Sequence, residues 1–350
     1  MNDIEERIRS ALAPYRLNDE LMPRPDEPYS PAPPRRRRLR VTLTVAAAFA
    51  LAIFAVATLL PVGAGGPDPA VALLLYRFER IAQHAAPEPA PKQGQYVYTE
   101  TMAQESYVYV SGDGQYRFVY SVPVTTQQWL GLDGSGRQVN TTGDHPTFPT
   151  DADRATYQAY LASGGHEADK MFDWGRTTQD RYGPGGLFQR DTSTLPTDPI
   201  ELGRLIDQRQ IVGGPGGDWE SFTLATDLIR DTYARPDLRA ALYSYMAGLS
   251  GIELVGNTTD ALGRPGVALA STHDGIRNEV VFDRTNGKIL EERNVVLEPD
   301  QAVYQNPGPG EFAYAYAGQP YYVVTYASFG KVVDSTTQTP FSLRAGSSPS

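Results

Sequence analysis

The stretch YVYTETMAQESYVYVSGDGQYRFVYSVPVTTQQWLGLDGSG, residues 96–136, decides the fold. Tyrosine and valine alternate in residues 96–102 and 107–110, a pattern typical of half-buried β-strands. Asp113 and Gly114 then supply a turn signal, and two further short strand-like runs follow before the closing Asp-Gly-Ser-Gly turn. With a turn signal about every ten residues, this stretch predicts an antiparallel meander of short strands.

Beyond the meander, the sequence predicts helices first and strands again afterwards. Helical patterns begin at Asp151, Asp198, Asp218 and Pro236. We expect Asp218 to cap its helix, and Asp151 and Asp153 to cap theirs. Strand-like runs return at 252–255, 266–270, 277–283, 288–296 and 321–329. The best-marked helix has Asp198 as its N-cap and Pro199 in its first turn, and Asn286–Gly287 is the strongest hairpin signal. This order indicates an α+β domain over residues 93–350, with helices packed against one curved antiparallel sheet.

An apolar segment of 22 residues, 41–62, precedes this domain. As a helix it would be about 33 Å long, which matches a hydrocarbon core of ~30 Å. Basic residues stay on the cytoplasmic side of a membrane. We therefore predict a single transmembrane helix in the lipid bilayer of the cell membrane, with the N-terminus inside and the C-terminus outside. Five arginines immediately before the segment determine this topology: Arg35, Arg36, Arg37, Arg38 and Arg40.

A cleaved export signal is the alternative interpretation of the same segment. Small residues at 63–66 would suit a signal peptidase, and paired arginines before an apolar run resemble a twin-arginine signal. The 40 residues before the segment are long for a signal peptide, and the segment exceeds the usual apolar region of about 7–15 residues. We therefore expect an uncleaved anchor. Both interpretations place the large domain outside the cytoplasm.

The chain around this helix divides into short flanking regions. Residues 1–40 form a cytoplasmic arm, with an amphipathic helix at 3–17 and a proline-rich linker after it. Residues 63–92 are expected to form a juxtamembrane helix and linker. An isolated helix as short as 3–17 is marginal in water, so we expect it to bind a cytoplasmic regulator. The residues of this partner-binding hypothesis are Ile4, Ile8, Leu12 and Tyr15.

Composition excludes several kinds of chemistry. The chain has no cysteine, which removes disulfides, thiolate metal sites and a cysteine nucleophile. Residues 1–40 have a net charge of +2 and the remaining residues a net charge of −12, which gives −10 for the whole chain. An acidic outer domain argues against binding to nucleic acid. No metal, cofactor or catalytic motif is found, and we expect a protein that is not an enzyme.

Tyrosine is the unusual feature of the composition, with 21 residues. Tyr98, Tyr109 and Tyr120 lie on the first strands, and Tyr322 and Tyr326 lie near the end. Tyrosine suits either cross-strand packing in a half-buried sheet or a recognition surface. We favour packing.

Several sequence blocks carry a resemblance to a known family. They are QWL at 128–130 with DGSGR at 133–137, LPTDP at 195–199, LRAALY at 238–243 with LSGI at 249–252, TDALGRPGV at 259–267 and FDRTNGKIL at 282–290. Together they resemble an uncharacterised family of actinobacterial single-pass membrane proteins, often encoded beside extracytoplasmic-function sigma factors. The resemblance implies an exported domain similar to the half-barrel of lipoprotein carriers and of periplasmic anti-sigma regulators, and a role in envelope regulation. A zinc-type anti-sigma domain would need His and Cys in residues 1–40, which contain neither.

Two functional hypotheses follow. The first is a non-enzymatic, membrane-anchored extracytoplasmic protein that acts as an envelope sensor or regulator linked to a sigma factor, with a lipid or envelope protein as partner of the outer domain. The alternative is a membrane-tethered lipid or lipoprotein carrier, whose half-barrel encloses an apolar cavity. The concave face of the sheet discriminates between them, because a face filled by side chains would argue against the carrier.

Overall fold

The computed structural model describes residues 66–166, 174–184, 194–210, 216–231, 235–297 and 318–339. Everything before residue 66 lies outside this part of the chain, including the predicted membrane segment. In the described residues, no helix is both long enough and apolar enough to span a membrane.

Helices and strands follow one another in an α+β arrangement. The helices are α1 Pro69–His84, α2 Asp151–Ala162, α3 Pro199–Gln208, α4 Gly217–Asp231 and α5 Pro236–Met246. The strands are β1 Tyr96–Val110, β2 Arg117–Gly131, β3 Gly136–Thr142, β4 Thr177–Tyr182, β5 Ile252–Thr259, β6 Pro265–His273, β7 Ile276–Phe282, β8 Ile289–Val296 and β9 Pro320–Val333. The predicted order of strands, helices and strands is therefore confirmed.

The strands form one open antiparallel sheet in the order β4-β3-β2-β1-β9-β8-β7-β6-β5. The first and last strand groups meet where β1 pairs with β9, so the two ends of the domain lie in the centre of its sheet. β1 and β2 pair without a break from Tyr96↔Gly131 to Val110↔Arg117. The four short strands predicted in this stretch are thus two long ones, because the polar residues between the tyrosine-rich runs continue the same ladder.

The main core lies between four helices and the second half of the sheet. Leu75 and Phe78 of α1, Leu202 of α3, Leu242 of α5 and Phe282 of β7 are completely buried in it. Each such side chain contributes about 1.5–3 kcal/mol by leaving water. The segment predicted as a juxtamembrane helix is α1, and it packs into this core.

A second core covers the first half of the sheet. Phe118, Tyr120 and Val122 of β2 are buried there with Tyr160 of α2. The rings of Tyr109 and Phe118 stack with centroids 5.1 Å apart, and the Tyr109 hydroxyl donates to the Tyr160 hydroxyl at 2.9 Å. These tyrosines pack across strands and against a helix, as expected.

Helix starts agree with the sequence in part. The Asp198 carboxylate accepts from the backbone N–H groups of Ile200 and Glu201, and it caps α3 as predicted. The prediction that Asp218 caps α4 is wrong. That helix begins at Gly217, and the Asp218 carboxylate instead accepts from the backbone N–H of Ser250 at 2.6 Å, which ties α4 to the end of α5.

Candidate functional site

The sequence-predicted site residues lie outside the described part of the chain. This applies to the arginines before the apolar segment and to the amphipathic positions of the arm: Arg35, Arg36, Arg37, Arg38, Arg40, Ile4, Ile8, Leu12 and Tyr15. The structure therefore leaves the topology and the arm as predictions. It describes a different candidate site, inside the outer domain.

The candidate site is a gap between two neighbouring strands of the sheet. β8 and β9 pair from Glu291↔Thr325 to Val295↔Pro320, and the ladder does not extend to Ile289 and Leu290. From Tyr326 to Val333, β9 pairs only with β1, and that pairing has register shifts near Glu100. Beyond the pair Glu291↔Thr325 the two strands no longer pair, and a cavity lies between them.

Arg264 spans the gap. One guanidinium nitrogen, Nη2, donates to the carbonyl of Tyr326 at 2.8 Å and to that of Leu290 at 3.4 Å, so the side chain replaces part of the missing ladder. Its Nε donates to the carboxylate of Asp260 at 2.6 Å, and that carboxylate is completely buried. Asp260 also accepts from the backbone N–H groups of Leu262 and Arg264 itself. The turn before β6 thus holds the Arg264 side chain in position across the gap.

The cavity has a volume of about 430 Å³ and a cationic lining. Five cationic side chains contribute to it: Arg230, Arg239, Arg264, Lys288 and Lys331. Asp283 is the one acidic residue of the lining, and its carboxylate is engaged in its own turn, where it accepts from Thr285 and Asn286. Ile289, Leu290 and Phe329 add apolar surface. An acidic domain therefore concentrates positive side chains at this one cavity.

Glu88 approaches the same cations from the segment after α1. Its carboxylate lies 2.5 Å from Lys288 Nζ and 3.6 Å from Arg239 Nη1. One carboxylate therefore serves two cations. Within the described part of the chain, no ion pair or hydrogen bond forms at the Lys331 side chain, which is exposed.

A half-buried polar cluster lies beside the cavity on the helix side of the sheet. Arg230 donates to Glu292 at 3.1 Å and to the Tyr326 hydroxyl at 3.1 Å, and it pairs with Asp227 at 2.8 Å. Burial raises the pKa of Glu292, although the charge of Arg230 acts in the opposite direction. Burial also raises the pKa of Tyr326, so its hydroxyl stays protonated. This cluster holds α4 against β8 and β9.

The neighbouring carboxylate, Glu291, faces the other side of the sheet. It accepts from the backbone N–H of Ala261 at 2.7 Å and from the Thr325 hydroxyl at 2.6 Å. Glu291 and Glu292 therefore do not form a carboxylate pair, since adjacent strand residues point in opposite directions. In the described residues, no three His, Asp or Glu side chains come together as metal ligands do.

These features define an α+β domain with an open antiparallel sheet, helices on it and a cation-lined cavity between two strands. No known family profile and no curated protein matches the sequence. Among solved structures, the chain is similar to MucB, as seen in the crystal structure of MucB in complex with MucA(peri), with 12% sequence identity and a TM-score of 0.25. The match covers 77% of this chain and 57% of that chain, so this chain spans little more than half of the MucB chain it matches.

Sequence reasoning missed the cavity because its residues are distant along the chain. Glu88, Arg239, Lys288 and Lys331 come from a linker, a helix, a turn and a strand, and share no spacing. One compositional signal existed. The chain has only four lysines, and two of them, Lys288 and Lys331, line this cavity.

Proposed function

We propose that this chain is a non-enzymatic membrane protein that senses conditions in the cell envelope and passes them to a sigma-factor-linked regulator. A single helix at 41–62 anchors it, and residues 3–17 contact the regulator inside the cell. The outer domain, which carries the cavity between β8 and β9, binds the envelope ligand or protein. The resemblance to membrane proteins encoded beside extracytoplasmic-function sigma factors gives the regulatory part of this proposal.

The observation that carries the proposal is the order of features along the chain. An amphipathic arm comes first, an arginine-flanked apolar segment second and an acidic α+β domain last. A protein that only needed a tether would not need an apolar stripe at 3–17. The stripe favours a partner on the inner side.

Site-specific photocrosslinking in cells tests this function. A photoreactive amino acid placed at Ile8 or Leu12 of the full chain is expected to give an adduct with a sigma factor or its regulator, identified by mass spectrometry. The same amino acid at Glu6 or Ser10, on the opposite face of the predicted helix, is the matched control and should give little adduct. Equal adducts from both faces, or none from Ile8 and Leu12, would refute signalling through the arm.

The carrier hypothesis receives no support from the two cavities described here. Beneath α1, α3, α4 and α5, the helix-facing side of the sheet is filled by buried side chains. The cavity between β8 and β9 has a cationic lining, and the other lies among helix ends near Glu79, Pro199 and Asp237. Both cavities have charged side chains among their apolar ones, which suits a polar group better than a lipid chain.

A further inference from the structure

We propose that the cavity between β8 and β9 binds a small organic anion, through a phosphate or carboxylate group on the ligand. The inference rests on the proposed function in one respect, since it names the ligand class of the sensing domain. The binding chemistry itself depends only on the cavity.

The cavity gathers positive side chains in a chain that is acidic overall. Five cationic side chains and one acidic residue line the cavity, in a chain whose net charge is −10. Carboxylates outside the lining pair with four of these cations: Asp260 with Arg264, Asp227 and Glu292 with Arg230, and Glu88 with both Arg239 and Lys288. The positive charge that is left for a ligand therefore lies at Lys331, which has no such partner in the described residues, and at Lys288, which shares its partner. Positive charge in a concave surface attracts anions.

The two lysines of the cavity keep hydrogen-bond donors that a ligand can use. Lys331 is exposed at the rim and, in the described residues, has no ionic or hydrogen-bonding partner. Lys288 shares the carboxylate of Glu88 with Arg239. The two ammonium groups therefore have donors to offer to an incoming anion. The guanidinium of Arg264, by contrast, is committed to Asp260 and to the backbone, and shapes the wall.

The size of the cavity and the polarity of its walls suit an organic ligand. A volume of about 430 Å³ falls within the range of small-molecule sites, roughly 300–1,000 Å³, and exceeds what a bare phosphate fills. Ile289, Leu290 and Phe329 supply an apolar wall beside the cations. The ligand we infer is therefore amphiphilic, with an anionic head at the lysines and an apolar body against these three residues.

Glu88 acts as an internal competitor in this proposal. Its carboxylate already lies where an anionic head would meet Lys288 and Arg239. A ligand must displace it, and the displaced segment connects α1 to β1. Replacing the Glu88 carboxylate by a neutral group is therefore expected to strengthen anion binding. If the anion bound elsewhere, away from these lysines, the replacement would not change its affinity.

Isothermal titration of the full chain in a neutral maltoside detergent with hexyl phosphate tests the site. Saturable one-to-one binding is expected, tighter than for inorganic phosphate because of the apolar wall. Lys331→Gln and Lys288→Gln should each weaken binding about tenfold, the effect of losing one charge-assisted hydrogen bond. Glu88→Gln should strengthen it roughly threefold, since the ion pair between Glu88 and Lys288 is partly exposed and contributes little.

Lys92→Gln is the matched control, because Lys92 is an exposed lysine outside the cavity. It should bind like the wild type, and circular dichroism should show the same fold for all variants. No saturable binding by the wild type, or equal binding by all lysine variants, overturns the proposal. If the photocrosslinking experiment gives the expected adduct but the titrations show no binding, the anion site is refuted and the proposed function is not.

The phosphate could come from a free metabolite or from a lipid headgroup. The full chain is therefore also held in phosphatidylcholine nanodiscs and titrated with hexyl phosphate in the presence of vesicles. Competition by phosphatidylglycerol vesicles, and not by phosphatidylcholine vesicles, would support the site and assign its anion to a lipid headgroup. Lysine-dependent binding without competition would support the site with a free anion as its ligand.

Discussion

Arg264 is the residue that closes the sheet where β8 and β9 part. Its partner Asp260 is completely buried, so the carboxylate depends on the guanidinium and on two backbone N–H groups. Removing one member of a buried ion pair leaves the other charged and uncompensated. The two residues should therefore be coupled much more strongly than a surface pair.

Arg264→Met is expected to lower the free energy of unfolding by about 3–5 kcal/mol. In the double variant Asp260→Asn, Arg264→Met the loss should be smaller than the sum of the two single losses, because no buried charge remains. Arg284→Met, at an exposed arginine, is the control and should change stability by less than about 0.5 kcal/mol. Urea titrations measure all four. Additive losses would mean that the pair is not coupled.

Glu79 gives the domain a pH dependence that a single substitution should remove. Burial raises the pKa of this carboxyl above its ordinary value of 4.5, and the hydrogen bond from Gln83 opposes the shift. The folded state thus holds the proton more tightly than the unfolded state. The contribution of Glu79 to stability is full below pH 4.5 and is lost as the pH rises through the folded-state pKa.

Glu79→Gln cannot ionise, so its unfolding free energy relative to the wild type should increase across that pH range and then level off. Denaturation at a series of pH values measures the difference. Glu253→Gln, at an exposed glutamate of β5, is the control for the loss of one surface carboxylate. A difference for Glu79→Gln that falls as the pH rises would contradict the direction of the shift.

At the scale of elements, α2 depends on one carboxylate to hold it on the sheet. Asp151 and Asp153 were expected to cap this helix, but Thr150 is the N-cap and its hydroxyl accepts from the backbone N–H of Asp153. Asp153 is buried, and it accepts from the backbone N–H of Val119 on β2 at 2.8 Å. It joins the helix to the sheet, whereas Asp151 is exposed in the same turn.

Asp153→Ala is expected to cost about 1–3 kcal/mol, since a buried backbone N–H loses its acceptor. Asp151→Ala removes a carboxylate two residues away and should cost less than about 0.5 kcal/mol. Hydrogen exchange should show faster exchange in residues 151–162 for the first variant only. Equal protection in both variants would show that Asp153 does not anchor α2.

Elements with a specific local signal were predictable, and those without one were not. Asn286–Gly287 marked the hairpin between β7 and β8, where Gly287 has a φ of +72° that favours glycine. Asp198 marked α3. In contrast, β3 and β4 are mostly polar, with sequences GRQVNTT and TTQDRY, and no apolar alternation distinguishes them from loops. They are strands because they extend the ladder of β2, which is a tertiary effect.

At the scale of the whole molecule, the fold class could be predicted but the candidate site could not. The order of strands, helices and strands indicated an α+β domain, because local patterns repeat along the chain. The pairing of β1 with β9 joins residues more than 200 positions apart, and no local pattern specifies it. The same pairing determines where β9 leaves β8, so the cavity and its two lysines follow from the topology of the complete sheet.

The proposed topology, in which one membrane helix separates a cytoplasmic arm from an exported sensing domain, is directly measurable. The chain has no cysteine, so one introduced cysteine can be labelled without background. Ser10→Cys reports on the arm, and Gly112→Cys lies in an exposed turn with open space around its Cβ. In intact cells, a membrane-impermeant maleimide should label the Gly112→Cys protein as an intact chain, and Ser10→Cys only after permeabilisation. Labelling of Ser10→Cys in intact cells, or a labelled Gly112→Cys protein that starts near Gly65, would contradict the account.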